Sequence, residues 1–314
     1  MSNIKAFNKI CKMSQKNLKA SLKDKLVNAG YENVISEDGF IYAKGDVPIL
    51  LTAHMDTVHK RQCTSIEIES GEDYTILSSV DGIGGDDRCG IYIILQVIKE
   101  YKPSILFCED EEIGGIGSRK FCKTEYIEEL KELKYLIELD RASSDDAVFY
   151  DCDNEDFTDY ILENTKYKKA IGSFSDISEL SPVCKVASVN LSCGYYKAHT
   201  TDEFVVFEEM EHTVDVVKDL LSKAKECEMF EYIEAENWRK FLFNGYSNNY
   251  FSSRYSYFDD TTEVHLYITY KDKDGKEGIG SASGNSEEEA WGNFFIKNSD
   301  ICYGDVIDYD VFEY

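Results

Sequence analysis

The sequence has no apolar segment long enough to cross a membrane and no apolar stretch near its start. The run from Val47 to Leu51 is among the longest wholly apolar runs, whereas a membrane helix needs about 20 such residues. The first residues, MSNIKAFNKICKMSQ, lack the apolar core of a secretory signal peptide. We therefore expect a cytoplasmic protein with no membrane partner.

Cysteine pairs are missing as well. The ten cysteines are scattered along the chain, and none forms a C-x-x-C pair. A chain of 314 residues is large enough to bury a core without disulfide bonds. We expect reduced thiols that behave as small buried apolar residues, as in a cytosolic protein.

Positive charge is in short supply. The chain has 34 basic and 60 acidic residues, which gives a formal net charge of −26. A field of this sign repels phosphate backbones and anionic lipid headgroups, so nucleic acids and membrane surfaces are excluded as expected partners. With 43% hydrophobic and 30% charged residues, the composition is that of a folded globular chain.

A change in composition divides the chain after residue 228. Residues 229–314 hold 20 of the 41 aromatic residues and both tryptophans. We therefore predict a catalytic domain over residues 1–228 and a small, acidic α+β appendage of unknown role over residues 229–314. Within the appendage, the alternation through Ile268 predicts a strand, and a capping box that begins at Ser286 predicts a helix.

Short apolar runs alternate with amphipathic segments in the first domain. The runs at 47–53, 105–108, 135–139 and 186–193 are typical of strands that are buried on both faces. Helical patterns lie between and around them, one of them with leucines at four-residue spacing after Ser14. This alternation predicts an α/β fold, a three-layer sandwich whose central mixed, mostly parallel sheet is flanked by helices.

Potential metal ligands follow these strands and the glycine-rich loop at 81–85. Ligands of open α/β folds gather at the carboxyl ends of strands. A set of imidazoles and carboxylates without thiolates suits zinc, or less selectively manganese or cobalt. In chain order the set is His54, Asp56, Asp86, Asp87, Glu111, Glu112, Asp140 and His199.

The joint pattern resembles the cocatalytic zinc exopeptidases, a superfamily that includes bacterial aminopeptidases and peptidase T-like peptidases. The segments LTAHMDTV, GGDDRCG, DEEIGGIGS and YYKAHTTDE carry the resemblance, which covers roughly residues 45–225. The resemblance is to the superfamily and does not select one member family.

The resemblance implies a role for each residue of the set. It implies that Asp86 bridges two zinc ions, with a cis peptide bond to Asp87, and that the other ligands divide into two pairs. It further implies that Asp56 orients an imidazole and that Glu111 is the general base. The implied ligand pairs are His54 with Asp140 at one ion and Glu112 with His199 at the other.

Three further residues are candidates for substrate contacts. Tyr195 and Tyr196 precede His199 where some relatives place a tyrosine that hydrogen-bonds the tetrahedral intermediate. Asp176 lies in a Ser-Asp pair similar to one in the aminopeptidase branches, and its role is open.

The sequence also departs from parts of the superfamily. Relatives similar to carboxypeptidases and aminoacylases insert a domain between the counterparts of Asp140 and His199, where only 58 residues lie here. Another branch inserts a lid before the bridging aspartate, where 29 residues separate Asp56 from Asp86. The predicted catalytic domain therefore has no inserted lid.

These observations predict a dinuclear zinc exopeptidase that removes residues from the N-terminus of short peptides. An N-acyl amino acid deacylase or a carboxypeptidase of the same superfamily is the alternative within the class. A catalytically silent binding protein on the same fold is the alternative from another class. The oligomeric state and the preferred side chain stay open.

Overall fold

A computed structural model describes residues 2–71, 74–172, 174–235, 264–271, 277–284 and 306–313. The chain forms two compact units, the first of residues 1–170 with 174–234 and the second of residues 171–173 with 235–314. Within the described part of the chain, no helix combines the length and apolarity needed for a membrane crossing.

The described residues of the first unit form eight helices. They are α1 (Ser2–Cys11), α2 (Gln15–Asn28), α3 (Gly85–Val97), α4 (Ile116–Phe121), α5 (Ile127–Leu130), α6 (Glu155–Thr165), α7 (Asp176–Cys184) and α8 (Phe207–Lys223).

The strands of the first unit are β1 (Val34–Glu37), β2 (Phe40–Ala43), β3 (Val47–His54), β4 (Glu67–Ser70), β5 (Thr75–Ser78), β6 (Pro103–Cys108), β7 (Tyr135–Arg141), β8 (Asp146–Val148), β9 (Lys168–Ala170), β10 (Ser188–Ser192), β11 (Tyr195–Tyr196) and β12 (Phe204–Val206). The described strands of the second unit are β13 (Val264–Lys271), β14 (Glu277–Gly284) and β15 (Val306–Glu313).

A large mixed sheet is the centre of the first unit. Its strand order is β1-β2-β6-β3-β7-β10-β8-β9, and its middle strands β6, β3, β7 and β10 are all parallel to one another. A smaller antiparallel sheet has the order β11-β12-β5-β4. The described part of the second unit is a three-stranded antiparallel sheet of order β14-β13-β15.

Helices cover both faces of the large sheet, and alternate residues of each strand face opposite cores. Leu51 and Ile137 belong to the core that includes residues of α1, α2, α3 and α8. Their neighbours Leu50 and Leu136 belong to the core that includes residues of α4, α5 and α7. Because both faces of β3 and β7 are buried, these strands are mostly apolar before their carboxyl ends, and the predicted three-layer α/β sandwich is confirmed.

Several predicted elements are present where the sequence indicates them. Ser14 caps α2, and its side chain accepts a hydrogen bond from the backbone N–H of Asn17. The hairpin of β4 and β5 and the strand β13 also match the expectations. The predicted helix at Ser286 and both tryptophans lie outside the described residues.

Residues 229–234 pack with the first unit. The ring of Phe230 lies 5.2 Å from that of Phe157, and Ala187 donates its backbone N–H to the Phe230 carbonyl oxygen. The compact first unit accordingly extends to residue 234, whereas the roles assigned to residues 1–228 and 229–314 stay predictions.

Leu22→Ala tests how strongly α2 is held by its buried face. Leu22 is fully buried, and its truncation should lower the free energy of unfolding by about 2–5 kcal/mol because it leaves a cavity. The matched control is Val27→Ala on the same helix, where the side chain is 53% exposed and the change should be small. Urea unfolding followed by circular dichroism compares them, and equal midpoints would contradict the packing.

Candidate metal centre

Three neighbouring parallel strands end at one edge of the large sheet. β3 ends at His54, and Asp140 lies near the end of β7. β6 ends at Cys108 and is followed by the loop of Glu111 and Glu112. Because β6, β3 and β7 lie side by side, their carboxyl ends bring these side chains into one region.

Asp86 lies between two imidazoles in this region. Its Oδ1 is 2.9 Å from His54 Nε2, and its Oδ2 is 3.1 Å from His199 Nε2. The peptide bond between Asp86 and Asp87 is cis, as expected. Each carboxylate oxygen of Asp86 thus faces a different imidazole, which is the arrangement that a bridging ligand requires.

Each imidazole also faces a second carboxylate. Asp140 Oδ1 is 3.4 Å from His54 Nε2, and Glu112 Oε2 is 3.2 Å from His199 Nε2. The ligand atoms of His54, Asp86 and Glu112 all lie within 4.8 Å of one another. The five predicted ligands therefore lie together around Asp86, and the set His54, Asp86 and Glu112 takes members from both implied pairs.

Asp87 is the alternative to Asp86 as the bridging ligand, because it lies next to Asp86 and close to the other ligands. Its carboxylate, Asp140 and His54 also offer ligand atoms within 4.8 Å of one another. However, the fully buried Asp87 accepts the backbone N–H of His54 at 3.1 Å and that of Gly90 at 2.9 Å, one with each oxygen. Because both carboxylate oxygens of Asp87 already accept backbone hydrogen bonds, we favour Asp86 as the bridging ligand. Asp87 instead connects β3 to α3 through these two hydrogen bonds.

Asp56 connects an imidazole to the loop of the two glutamates. Its Oδ1 is 3.2 Å from His54 Nδ1 and accepts the backbone N–H of Glu111 at 3.0 Å. Its Oδ2 accepts the N–H of Glu112 at 3.1 Å. Burial alone would raise the pKa of Asp56, but these hydrogen bonds outweigh burial and lower it. The ionised carboxylate therefore fixes both the ring of His54 and the loop.

The centre is acidic and has no fixed cation to balance it. Among the residues that the structure describes, no lysine or arginine forms an ion pair with Asp86, Glu111, Glu112 or Asp140. Burial, followed by repulsion from Asp86, raises the pKa of Asp140 to about 8. Divalent cations would offset this repulsion, and oxygen and imidazole donors without thiolates fit zinc, manganese or cobalt.

The imidazoles carry the opposite shift. Hydrogen bonds to Asp86 and Glu112 raise the pKa of His199 to about 12. Burial disfavours a charged His54, but the charge of Asp140 and hydrogen bonds to neighbouring carboxylates outweigh it and raise its pKa. Glu112 Oε1 is buried and has no hydrogen-bond partner among the described residues. Without metal, protons on the imidazoles thus stand in for part of the missing positive charge.

Glu111 lies beside the centre without joining either group of ligand atoms. Among the described residues, the sets whose atoms lie within 4.8 Å of one another include neither its carboxylate nor the imidazole of His199, but His199 contacts Asp86 and Glu112 directly. Its side chain is half-buried, and burial is the largest cause that raises its pKa, to about 11. Glu111 is therefore adjacent in sequence to a predicted ligand, and its role as a carboxylate that binds no metal stays a prediction.

The three candidates for substrate contacts are placed differently. The Tyr195 hydroxyl donates to Asp140 Oδ1 at 3.4 Å, which brings this tyrosine to the centre. Tyr196 instead donates to Glu209 at 2.6 Å. Asp176 is fully buried, so the structure does not present it to a substrate. The substrate roles of these residues stay predictions.

Two residues that position the ligands, Asn190 and Glu203, are not predicted from the sequence. Asn190 accepts the backbone N–H of Asp140 at 2.9 Å and donates to the Asp140 carbonyl oxygen at 2.9 Å. Glu203 contacts the backbone of the loop that precedes Asp86. Asn190 is a polar residue inside the apolar run 186–193, and this is the signal that could have found it. Its pairing with Asp140, 50 positions away, has no local signal in the sequence.

Comparison with known sequence families finds a match over the middle of the chain. Residues 40–180 match the sequence profile described as Peptidase family M28. This range contains His54, Asp86, Glu112 and Asp140 and ends before His199. No curated protein matches the chain at a significant level.

Comparison with solved structures shows the fold. Aminopeptidase PepT from Bacillus cereus is 15% identical, with a TM-score of 0.56 over 71% of this chain and 98% of that one. A tripeptidase from Staphylococcus aureus is 13% identical, with a TM-score of 0.57 over 72% and 98% of the two chains. Aminopeptidase APDkam598 from the archaeon Desulfurococcus kamchatkensis is 12% identical, with a TM-score of 0.54 over 71% and 95%. Together with the profile match, these likenesses confirm the resemblance to the zinc exopeptidase superfamily.

Zinc binding to the metal-free protein should release protons. His54 and His199 are protonated near neutral pH, and a metal ligand must be a neutral imidazole, so each ligated histidine gives up a proton. We expect at least two protons released per chain near pH 7, with more from ligand carboxylates of raised pKa such as Asp140, and an apparent zinc affinity that rises with pH. Calorimetric titration in two buffers of different ionisation enthalpy measures the number.

The control for this titration is His212→Gln, which removes an exposed imidazole outside the centre. Its proton release should equal that of the unchanged protein. Proton uptake on zinc binding, or an affinity that falls as the pH rises, would contradict the protonation of the two imidazoles.

Proposed function

We propose, from the match of residues 40–180 to the profile of Peptidase family M28, that this metallopeptidase is an exopeptidase that acts on short peptides with two divalent metal ions. The observation that carries the proposal is the position of Asp86, whose two oxygens face His54 and His199 separately. A site for a single ion would not need a carboxylate shared between two imidazoles.

The residues divide into two sets of three ligands. His54, Asp86 and Asp140 would hold one ion, and Asp86, Glu112 and His199 would hold the other. When bound, such ions lower the pKa of a water molecule and polarise the scissile carbonyl. We propose zinc as the native metal because the donor set contains imidazoles and carboxylates, and manganese or cobalt would be accepted less selectively.

Glu111 is the proposed general base. Its carboxylate lies beside the ligand Glu112, remains outside both ligand sets, and is half-buried at the end of β6. In this position Glu111 can take a proton from the attacking water and pass it to the leaving amine. Burial raises its pKa, whereas bound cations would lower it, so the base function depends on the loaded centre.

Asp56 and Tyr195 have supporting roles in the proposal. Asp56 holds the ring of His54 and the amides of Glu111 and Glu112, so the base and one ligand keep a fixed separation. Burial raises the pKa of Tyr195, so its hydroxyl stays protonated and able to donate a hydrogen bond near Asp140.

The acidic character of the centre supports attack at the N-terminus of a peptide. A site rich in carboxylates, in a protein of net charge −26, attracts an ammonium group more readily than a carboxylate. Glu111 lies outside the proposed ligand sets and is half-buried, and it could contact that ammonium group. Two of the similar structures are named as aminopeptidases and one as a tripeptidase, which favours short peptides.

We place this activity in a reducing compartment, the cytoplasm. Supporting this proposal, the nine cysteines of the described part of the chain are all free, and seven of them are buried. An oxidising environment would favour pairing of cysteines in a chain that carries ten.

Glu111→Gln should abolish most of the turnover and leave metal binding intact. The amide keeps the shape of the side chain but cannot accept a proton, so kcat should fall about a hundred- to ten-thousandfold. The matched control is Asp110→Asn on the same loop, where φ is 61° and asparagine tolerates the left-handed backbone. Steady-state kinetics with zinc analysis compares the variants, and near-normal turnover in Glu111→Gln would show that the base is another residue.

The direction of attack is tested with one peptide and its N-acetylated twin. The proposed contact with a free ammonium group requires that the unmodified peptide be shortened from its N-terminus and that the acetylated twin resist. Mass spectrometry of the product ladder reads the result. Products shortened from the C-terminus would indicate a carboxypeptidase, and free acetate from the twin would indicate a deacylase.

A further inference from the structure

Glu203 is a fully buried carboxylate that makes three hydrogen bonds around the metal centre. Its Oε1 accepts the backbone N–H of Asp86 at 2.9 Å. Its Oε2 accepts the backbone N–H of Gly84 at 2.7 Å and lies 2.7 Å from His59 Nε2. All three partners lie far from Glu203 in sequence, and one of them is the backbone of the shared ligand itself.

These bonds fix the loop that delivers Asp86. Gly82 and Gly84 both have positive φ, at 85° and 70°, so the chain turns in a conformation that glycine tolerates. A Cβ atom at Gly82 would lie 2.2 Å from the ring of His59, so the imidazole sits directly against the loop. The His59 side chain is only 8% exposed, and its ring fills the space between the loop and Glu203.

The segment that carries Glu203 also carries a ligand. His199 precedes Glu203 by four positions, and the Glu203 backbone N–H donates to the Thr200 carbonyl oxygen at 3.4 Å. His199 thus approaches Asp86 Oδ2 from the same turn whose glutamate holds the Asp86 backbone. The spacing between His199 and Asp86 is therefore set within one short hydrogen-bonded unit.

We propose that Glu203, oriented by His59, is a positioning residue that holds Asp86 between the ligands His54 and His199. The inference rests on the proposed function, in which Asp86 bridges two metal ions. Glu203 does not reach the ions or the substrate. It acts through the backbone of Asp86 and keeps the carboxylate where both ligand sets meet before any metal is present.

A carboxylate suits this task because its partners are all donors. Two backbone N–H groups and an imidazole N–H converge on two oxygens, and an ionised glutamate can accept all three. Glutamine has a single oxygen, and its amide group would face one of the backbone N–H groups as a second donor. The amide of Gly84 or of Asp86 would then be buried without a partner, and the loop would shift to recover one.

Glu203→Gln tests the inference through zinc binding. The matched control is Glu211→Gln, because Glu211 also accepts two side-chain hydrogen bonds, from Tyr92 and Asn3, without contacting a predicted ligand. Metal-free unchanged protein, Glu203→Gln and Glu211→Gln are each titrated with zinc against a chelator. Thermal unfolding is followed by circular dichroism.

The expected result is two zinc ions in all three proteins, with the weaker ion bound about 10- to 100-fold less tightly in Glu203→Gln alone. At limiting zinc, kcat of Glu203→Gln should be lower than that of the unchanged protein because fewer molecules hold both ions. Raising the zinc concentration should restore part of this kcat, while KM stays close to that of the unchanged protein. A merely structural role would lower the unfolding temperature without this selective loss of zinc affinity.

Zinc affinity in Glu203→Gln within twofold of the unchanged protein, or an equal loss in Glu211→Gln, overturns the inference. If Glu203→Gln does not fold, His59→Phe replaces it, since phenylalanine keeps a ring against Gly82 and removes the N–H. We expect a smaller loss of affinity in His59→Phe, and unchanged affinity there overturns the role of His59. Fewer than two zinc ions in the unchanged protein would instead contradict the proposed function.

Discussion

Repulsion among buried carboxylates is the constraint on which this site depends. Asp86, Glu112 and Asp140 approach two imidazoles at one sheet edge without a lysine or arginine ion pair among the described residues. Such a cluster is costly in a dry interior unless cations enter it. Backbone hydrogen bonds hold the carboxylates together despite this cost: Glu203 accepts the N–H of Asp86, and Asp56 accepts those of Glu111 and Glu112. The fold thus holds these carboxylates in an arrangement that bound cations would stabilise.

Much of the fold and of the ligand set follows from local patterns. The apolar runs that end at His54 and near Asp140 predict strands buried on both faces, and parallel strands bring their ends together. The spacing of leucines after Ser14 predicts α2 because both the cap and the buried face are local. A resemblance carried by four short segments then supplies the roles of the residues that these elements deliver.

The remaining features depend on distant partners. Glu203 reads as one acidic residue of a polar turn, and its contacts with Gly84 and His59 lie 119 and 144 positions away. In the sequence, Asp87 resembles a helix cap beside Asp86, and only the folded structure shows that it also accepts the His54 amide. The α1 helix has no clear local pattern for a related reason, since its buried Phe7 and Ile10 face a core built by later elements. No pattern within a short window encodes such contacts.

The loop that carries Glu111 is held along its length. Glu109 accepts the Gly39 amide and pairs with Lys19, Asp110 accepts from Gln15, and Asp56 holds the two amides that follow. The loop is thus a rigid continuation of β6 and not a lid. Ordering a loop on binding costs conformational entropy, and here that cost is met during folding. A short peptide offers little contact area and therefore little binding free energy. An enzyme that acts on it binds it best when only the substrate, and not a loop of the protein, loses conformational entropy on binding.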